Sequence, residues 1–141
     1  MKITQDILDD LTAKAKESPR LRMNLDLRDS AEDTSQRMLN AIEPGAPLPI
    51  HRHQTTSETV VCLRGRLVEE FFGEQCGKAE RYDERKRICT DRIELSPNGP
   101  VMALNIPAGQ WHTVRALESG TVILEMKNGA YEPLSDVDIL K

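Results

Sequence analysis

The chain has 141 residues, 38% of them apolar, which suits one compact domain with a modest core and leaves too little for a second. Its 19 basic and 23 acidic residues give a formal net charge of -4 and are interspersed, so no basic stripe points to a nucleic-acid partner. No apolar run approaches the roughly 20 residues of a membrane helix, and the N-terminal stretch lacks the apolar core and cleavage site of a secretory signal, so no membrane partner and a cytoplasmic location are expected.

The first element in chain order is a helix. In TQDILDDLTAKAKESP the apolar residues Ile3, Ile7, Leu8, Leu11 and Ala15 recur near a 3.6 period, Thr4 can cap, Asp6 falls in the first turn, and Ser18-Pro19 ends the run. This predicts an amphipathic helical unit over 1–19 packed on a single domain over 20–141. From about residue 20, short apolar and β-branched segments are cut by turn signals such as EPGAP, LRGR, SPNGP, IPAGQ and LESG. The segments TVVCL, RLVEEFF, VMALNI, WHTVRAL and TVILEMK read as strands, and together they predict an all-β barrel or sandwich. The densely charged GKAERYDERKRICTDR, residues 77–92, reads as a protruding surface hairpin or loop. Cys62, Cys76 and Cys89 are scattered without a CxxC pair, so reduced thiols are expected and neither a disulfide framework nor a structural zinc cluster.

Of the chain's three histidines, two stand one residue apart in PIHRHQTTSETV. On a strand, His51 and His53 point to one side and Arg52 to the other. QTTS then permits a turn, after which Glu58 opens the next strand with Val60 and Cys62 on its face. Imidazoles and a carboxylate aimed into a β interior carry a heavy desolvation cost that a bound cation offsets. His112 is the remaining imidazole, and the Pro107–Gly109 turn would deliver it to the start of a strand. His51, His53, Glu58 and His112 are thus the candidate metal ligands. Against this stands the plainer reading of surface or hydrogen-bonded core histidines, which would suit one histidine alone better than the spaced set.

These residues carry a resemblance to the cupins. The first cupin motif, G-x5-H-x-H-x4-E-x6-G, is met at Gly45, His51, His53, Glu58 and Gly65. The second, G-x5-P-x-G-x2-H-x3-N, is met at Pro107, Gly109 and His112, while seven residues separate Gly99 from Pro107 and Ala116 stands at the final Asn. More narrowly, SPRLRMNLDLRDSAEDTSQRMLNAIEPGAPLPIHRH, IPAGQWHTV and LEMKNGAYEPLSDVDIL resemble the WbuC-type cupin fold metalloproteins, with Ala130 departing from that family's tail. The resemblance implies a cupin barrel (a double-stranded β-helix, or jelly roll) with an N-terminal helix, a homodimer, and a link to surface-polysaccharide sugar metabolism.

Imidazole and carboxylate donors without thiolate suit one divalent transition metal, Mn, Fe, Co, Ni or Zn, and suit Ca or Cu(I) poorly. A six-coordinate ion would keep two positions for water, a chelating substrate or dioxygen, which permits an isomerase, epimerase or oxygenase, or else a non-catalytic metal-dependent binding protein. That the small-molecule ligand is sugar-derived is what the family resemblance implies, and an anionic one would suit Arg20 and Arg22. A metal-free epimerase is disfavoured because the metal motif uses every histidine. Candidate acid–base groups are Glu125, Tyr131, Arg52 and Arg64; the plainer reading sets Glu125 on a solvent-facing strand surface and leaves Tyr131 to anchor the tail. Arg20 and Arg22 would hold an anion over the barrel opening, or else be solvated. Trp111 should face away from the ligands by alternation, and Cys62 should fill core space.

Overall fold

A computed structural model describes residues 1–74 and 87–140. Helix α1 (Gln5–Glu17) begins where Thr4 Oγ1 accepts a hydrogen bond from the Ile7 N–H at 3.4 Å, and ends where the Ser18 N–H reaches the carbonyls of Lys14 and Ala15. Leu8, Leu11 and Ala15 are buried against Leu39, Ala41 and Val122, whereas Ile3 precedes the helix and stays exposed. Arg64 fastens this packing by donating to Asp9 at 2.6 Å, Thr12 Oγ1 at 2.9 Å and the Gly120 carbonyl at 3.0 Å. Read from sequence as a candidate acid–base group, Arg64 is instead the anchor of the helix.

Two five-stranded antiparallel sheets follow, as the strand pattern predicts. The first has the order β1 (Arg22–Asp26), β2 (Ser35–Ile42), β9 (Thr121–Asn128), β4 (Glu58–Arg64), β7 (Ala103–Ile106). The second has the order β10 (Ile139–Leu140), β3 (Ile50–His51), β8 (Trp111–Ala116), β5 (Leu67–Glu74), β6 (Arg87–Leu95). Between them lies a core built on Ile42, Val60, Cys62, Leu67, Leu95, Ile106 and Ile123. Cys62 is therefore core, as alternation from Glu58 through Val60 requires. Among the described residues no helix is long and apolar enough to cross a membrane.

Of the charged segment, the described residues 87–92 belong to strand β6. Strand β6 runs antiparallel to β5 from Leu67↔Leu95 onward, with an irregularity between Phe71 and Phe72. Residues 89–92 are exposed, as the surface reading of 77–92 expects, and they continue a strand whose inner end, Leu95, is fully buried. Residues 75–86, with Cys76, lie outside the described part.

Two turn glycines share a left-handed φ of +81° but differ in their surroundings. A Cβ on Gly65 would lie 2.4 Å from Thr121 Oγ1 and 2.7 Å from Thr121 Cα, whereas one on Gly109 would meet nothing within 4 Å. Gly109→Ala should therefore cost only the left-handed strain, about 1–2 kcal/mol, and Gly65→Ala clearly more. Urea unfolding midpoints of the two variants check this order; equal losses would refute it.

Candidate metal centre

The two cupin-like motifs meet at one end of the space between the sheets. His51 in β3 pairs with His112 in β8, and their ring centroids lie 4.4 Å apart. Strand β3 ends at His51, earlier than the sequence suggests, so His53 is not held by a ladder. Its carbonyl instead accepts a 2.7 Å hydrogen bond from the Gly109 N–H, so the turn of the second motif grips the first. Glu58 opens β4 in the opposite sheet and faces the imidazoles across the gap. The donor atoms of His51, His53 and Glu58 lie within 4.8 Å of one another, a group able to hold a metal ion. His112 stands against this group with Nε2 3.5 Å from Glu58 Oε2.

Protonation decides what this cluster requires. The Nδ1 atoms of His51 and His112 lie 3.2 Å and 2.9 Å from the carbonyls of Pro49 and Gln110. A carbonyl only accepts, so in each neutral ring Nδ1 carries the proton and Nε2 offers a lone pair. Burial first, and then the neighbouring His112, lowers His51 to about 4, so that ring is neutral at pH 7. Burial works to raise the Glu58 carboxyl, but the facing imidazoles of His112 and His53 overcome it and hold the group below the ordinary carboxylate range. Glu58 Oε2 is buried without a hydrogen-bond donor although His53 Nε2 stands only 3.1 Å away. The pull that lowers Glu58 requires an imidazole N–H turned toward it; with the ring protons on Nδ1 and lone pairs turned to the oxygen instead, only a cation could keep the buried carboxylate ionised. A divalent cation among these atoms would satisfy all of them, so the residues present fit a metal.

Beside the donors opens a cavity of about 310 Å³. His51, His53 and Glu58 form one part of its wall, and Arg20, Arg22, Asn24, Gln36, Asn40, Glu125, Lys127 and Tyr131 contribute to the rest. The expectation that Glu125 faces solvent is corrected: on β9 it continues the inward face that holds Ile123 in the core. Burial, and then the Glu58 carboxylate, push Glu125 up to about 8 against the opposing pull of Asn40 and Arg22. The residue keeps some exposed area because it borders the cavity, yet its surroundings favour the protonated carboxyl. Arg52 is outside the cavity, paired with Asp138 at 3.1 Å and stacked on Trp111, whose ring faces away from the histidines as expected.

Residues 3–83 match a family described as a domain of unknown function, DUF6016. The chain belongs to this family. No curated protein matches it. Among solved structures it resembles KdgF from Halomonas sp. at 14% identity and a TM-score of 0.56, over 81% of this chain and 84% of that one. It also resembles a cupin-2 domain from Rhodospirillum rubrum at 19% identity and a TM-score of 0.53, over 86% of this chain and 72% of that one. The capsular polysaccharide assembling protein CapF from Staphylococcus aureus aligns at 21% identity and a TM-score of 0.56, over 82% of this chain but only 30% of CapF. At these identities the likeness shows the fold, which is the cupin fold.

Glu69 also belongs to this DUF6016 interior and is absent from the sequence reading. It is 2% exposed, its Oε2 lacks a hydrogen-bond partner, and burial followed by the Glu58 and Glu125 carboxylates raises it well above the usual range. The available signal was its alternation with Leu67 and Phe71. For Glu125 the raised value means that the folded protein holds a proton which the unfolded chain releases above the usual glutamate range. Stability of metal-stripped protein should therefore fall as pH rises toward and through about 8. Glu125→Gln should flatten that decline, leaving only the share due to Glu69, in unfolding titrations at pH 6 and 8.5. An unchanged slope would show that Glu125 does not carry the proton.

Proposed function

We propose that this protein binds one divalent transition metal through His51, His53, Glu58 and His112, and that it is a metal-dependent enzyme acting on a small molecule. The observation that carries the reading is the Glu58 oxygen, buried without a donor and faced by His53 and His112. Neutral imidazoles and one carboxylate suit Mn, Fe, Co, Ni or Zn. When bound, such an ion supplies Lewis acidity or acidifies a coordinated water. The chain adds a cavity beside the donors and, on its wall, the Glu125 carboxyl, a group able to hold or move a proton, the pairing that an isomerase or epimerase uses. An acid–base group on the wall beside the donors favours an enzyme over a passive binding protein. The WbuC-like motifs, and a structural relative named for capsular polysaccharide, support a sugar-derived substrate.

Purified protein should contain close to one transition-metal ion per chain, and His53→Ala should remove most of it. Elemental analysis showing metal-free protein that takes up no Mn, Fe, Ni or Zn would defeat the proposal. Glu58→Gln should keep the fold and weaken metal retention, because the amide removes the only anionic donor.

We also propose a homodimer. The sheets leave edge strands, and pairing between copies is a common way to cover them. Light scattering at micromolar concentration should give twice the 15.9 kDa chain mass; the monomer mass would count against it.

A further inference from the structure

The cavity has a second pole, opposite in character to the cluster of histidines and carboxylates. Arg28, Arg37, Arg52, Arg64, Arg66 and Arg115 each have a carboxylate within ion-pair reach. Arg20 and Arg22 have none among the described residues, although both line the cavity. Lys127 also lines the cavity, but as the cross-strand neighbour of Glu58 it lies at the metal end, and its ammonium donates to the Asn128 carbonyl. Unpaired cations gathered round one concavity repel one another, an arrangement that an anion would relieve. The proximity is felt: burial first, and then Arg20, lowers the Arg22 guanidinium.

The backbone holds this pole at a cost. Leu21, between the two arginines, has a φ of 51° and is the only non-glycine residue with positive φ in the described part. A branched side chain in that region is strained, and such strain persists only where the surroundings enforce it. Here the Leu21 N–H donates to the Ser18 carbonyl and its own carbonyl accepts from the Glu43 N–H, both at 2.9 Å. Glu43 is itself fixed, since its carboxylate accepts from Ser119 Oγ at 2.6 Å and the Gly120 N–H at 2.8 Å.

We infer that Arg20 and Arg22 form a docking site for the oxyanion head of the small molecule whose other end reaches the metal group. The inference rests on the metal reading above and narrows it to a substrate class: a polyhydroxylated carboxylate or phosphate of monosaccharide size. Guanidinium forks match both heads. Between the two poles the amides of Asn24, Gln36 and Asn40 line the cavity and suit hydroxyl groups. The 310 Å³ volume sits at the small end of ligand pockets, which favours one sugar unit over an oligosaccharide.

The test is calorimetric titration of metal-loaded protein with D-glucuronate, D-glucose 6-phosphate and D-glucose, with metal content measured on each sample. At least one of the acids should bind, about tenfold or more tightly than glucose, and the better acid identifies the head as carboxylate or phosphoryl. Arg20→Gln and Arg22→Gln should each weaken that binding by about tenfold without altering metal content or Tm. Arg20 is exposed and outside any strand, so Arg20→Gln remains decisive if Arg22→Gln disturbs β1. No binding of either acid, glucose binding as well as the acids, or variants that bind like wild type would overturn the docking site. Protein that takes no metal yet binds an acid through these arginines would defeat the metal reading and leave the docking site standing.

Discussion

A carboxylate oxygen that is buried, ionised and offered no hydrogen bond is the constraint to which the interior of this protein is organised. Glu58 lies below the ordinary carboxylate range while its neighbours Glu69 and Glu125 are driven above it, so charge in this interior is confined to one of three carboxyl groups. Like charges in a poorly solvated space cannot all ionise, and the group beside the imidazoles is the one that does. The arrangement suits a cation at Glu58 and leaves protons on the other two. A buried charge left unpaired would otherwise cost more than the surrounding packing readily supplies.

The strands make this compatible with folding by dividing their inward faces between two kinds of residue. On β4 the inward face runs from Glu58 to Val60 and Cys62, on β8 from His112 to Val114 and Ala116, and on β2 from Asn40 to Ile42. In each case the polar residue stands at the cavity end and the apolar residues in the core. The hydrophobic gain is concentrated where no chemistry is needed, and β4, β8 and β9 each carry both roles. Helix α1 lies on the outer face of the first sheet, burying Leu39, Ala41 and Val122, so β2 and β9 are supported from behind where they present Asn40 and Glu125 to the cavity.

How much of this was legible follows from period and spacing. The period-two placement of Glu58, Val60 and Cys62, the turn before His112 and the capped helix at Thr4 are local patterns, and the structure bears them out. Strands β1 and β2 were not resolved individually, because Asn24, Gln36 and Asn40 put polar residues on an inward face that borders a cavity. The same inversion sent Glu125 to the solvent side in the sequence reading: a charged residue on a strand is usually outside, and only its alternation with Ile123 argued otherwise. Alternation sets Arg52 opposite the histidines, but the partners of Arg52 and Arg64, Asp138 and Asp9, are distant in sequence and carry no local signal. The role of Leu21 was invisible because no local pattern predicts left-handed backbone at a leucine.

The two-residue β3 shows how so short a strand can hold a ligand precisely enough to matter. One edge of β3 pairs with β8 through His51 and His112, and the other with β10 through Ile50 and Leu140. The residue between the two histidines adds a second lock on the outer surface. Arg52 donates to Asp138 and lies 4.7 Å from the centre of the Trp111 ring, so the side chain beside His51 and His53 is stacked on the neighbour of His112. The Arg52 N–H also reaches the Asp138 carbonyl at 3.1 Å, and Gln54 donates to the Asp138 carboxylate at 2.7 Å. Each link alone is modest, a cation–π contact being worth about 0.5–1 kcal/mol at an exposed site. Together they join the C-terminal tail, the first histidine pair and the third histidine from behind, leaving the inward nitrogens free of any structural duty. The ligand-bearing segments are thus positioned by what their outward side chains do, and the inward ones remain available for chemistry.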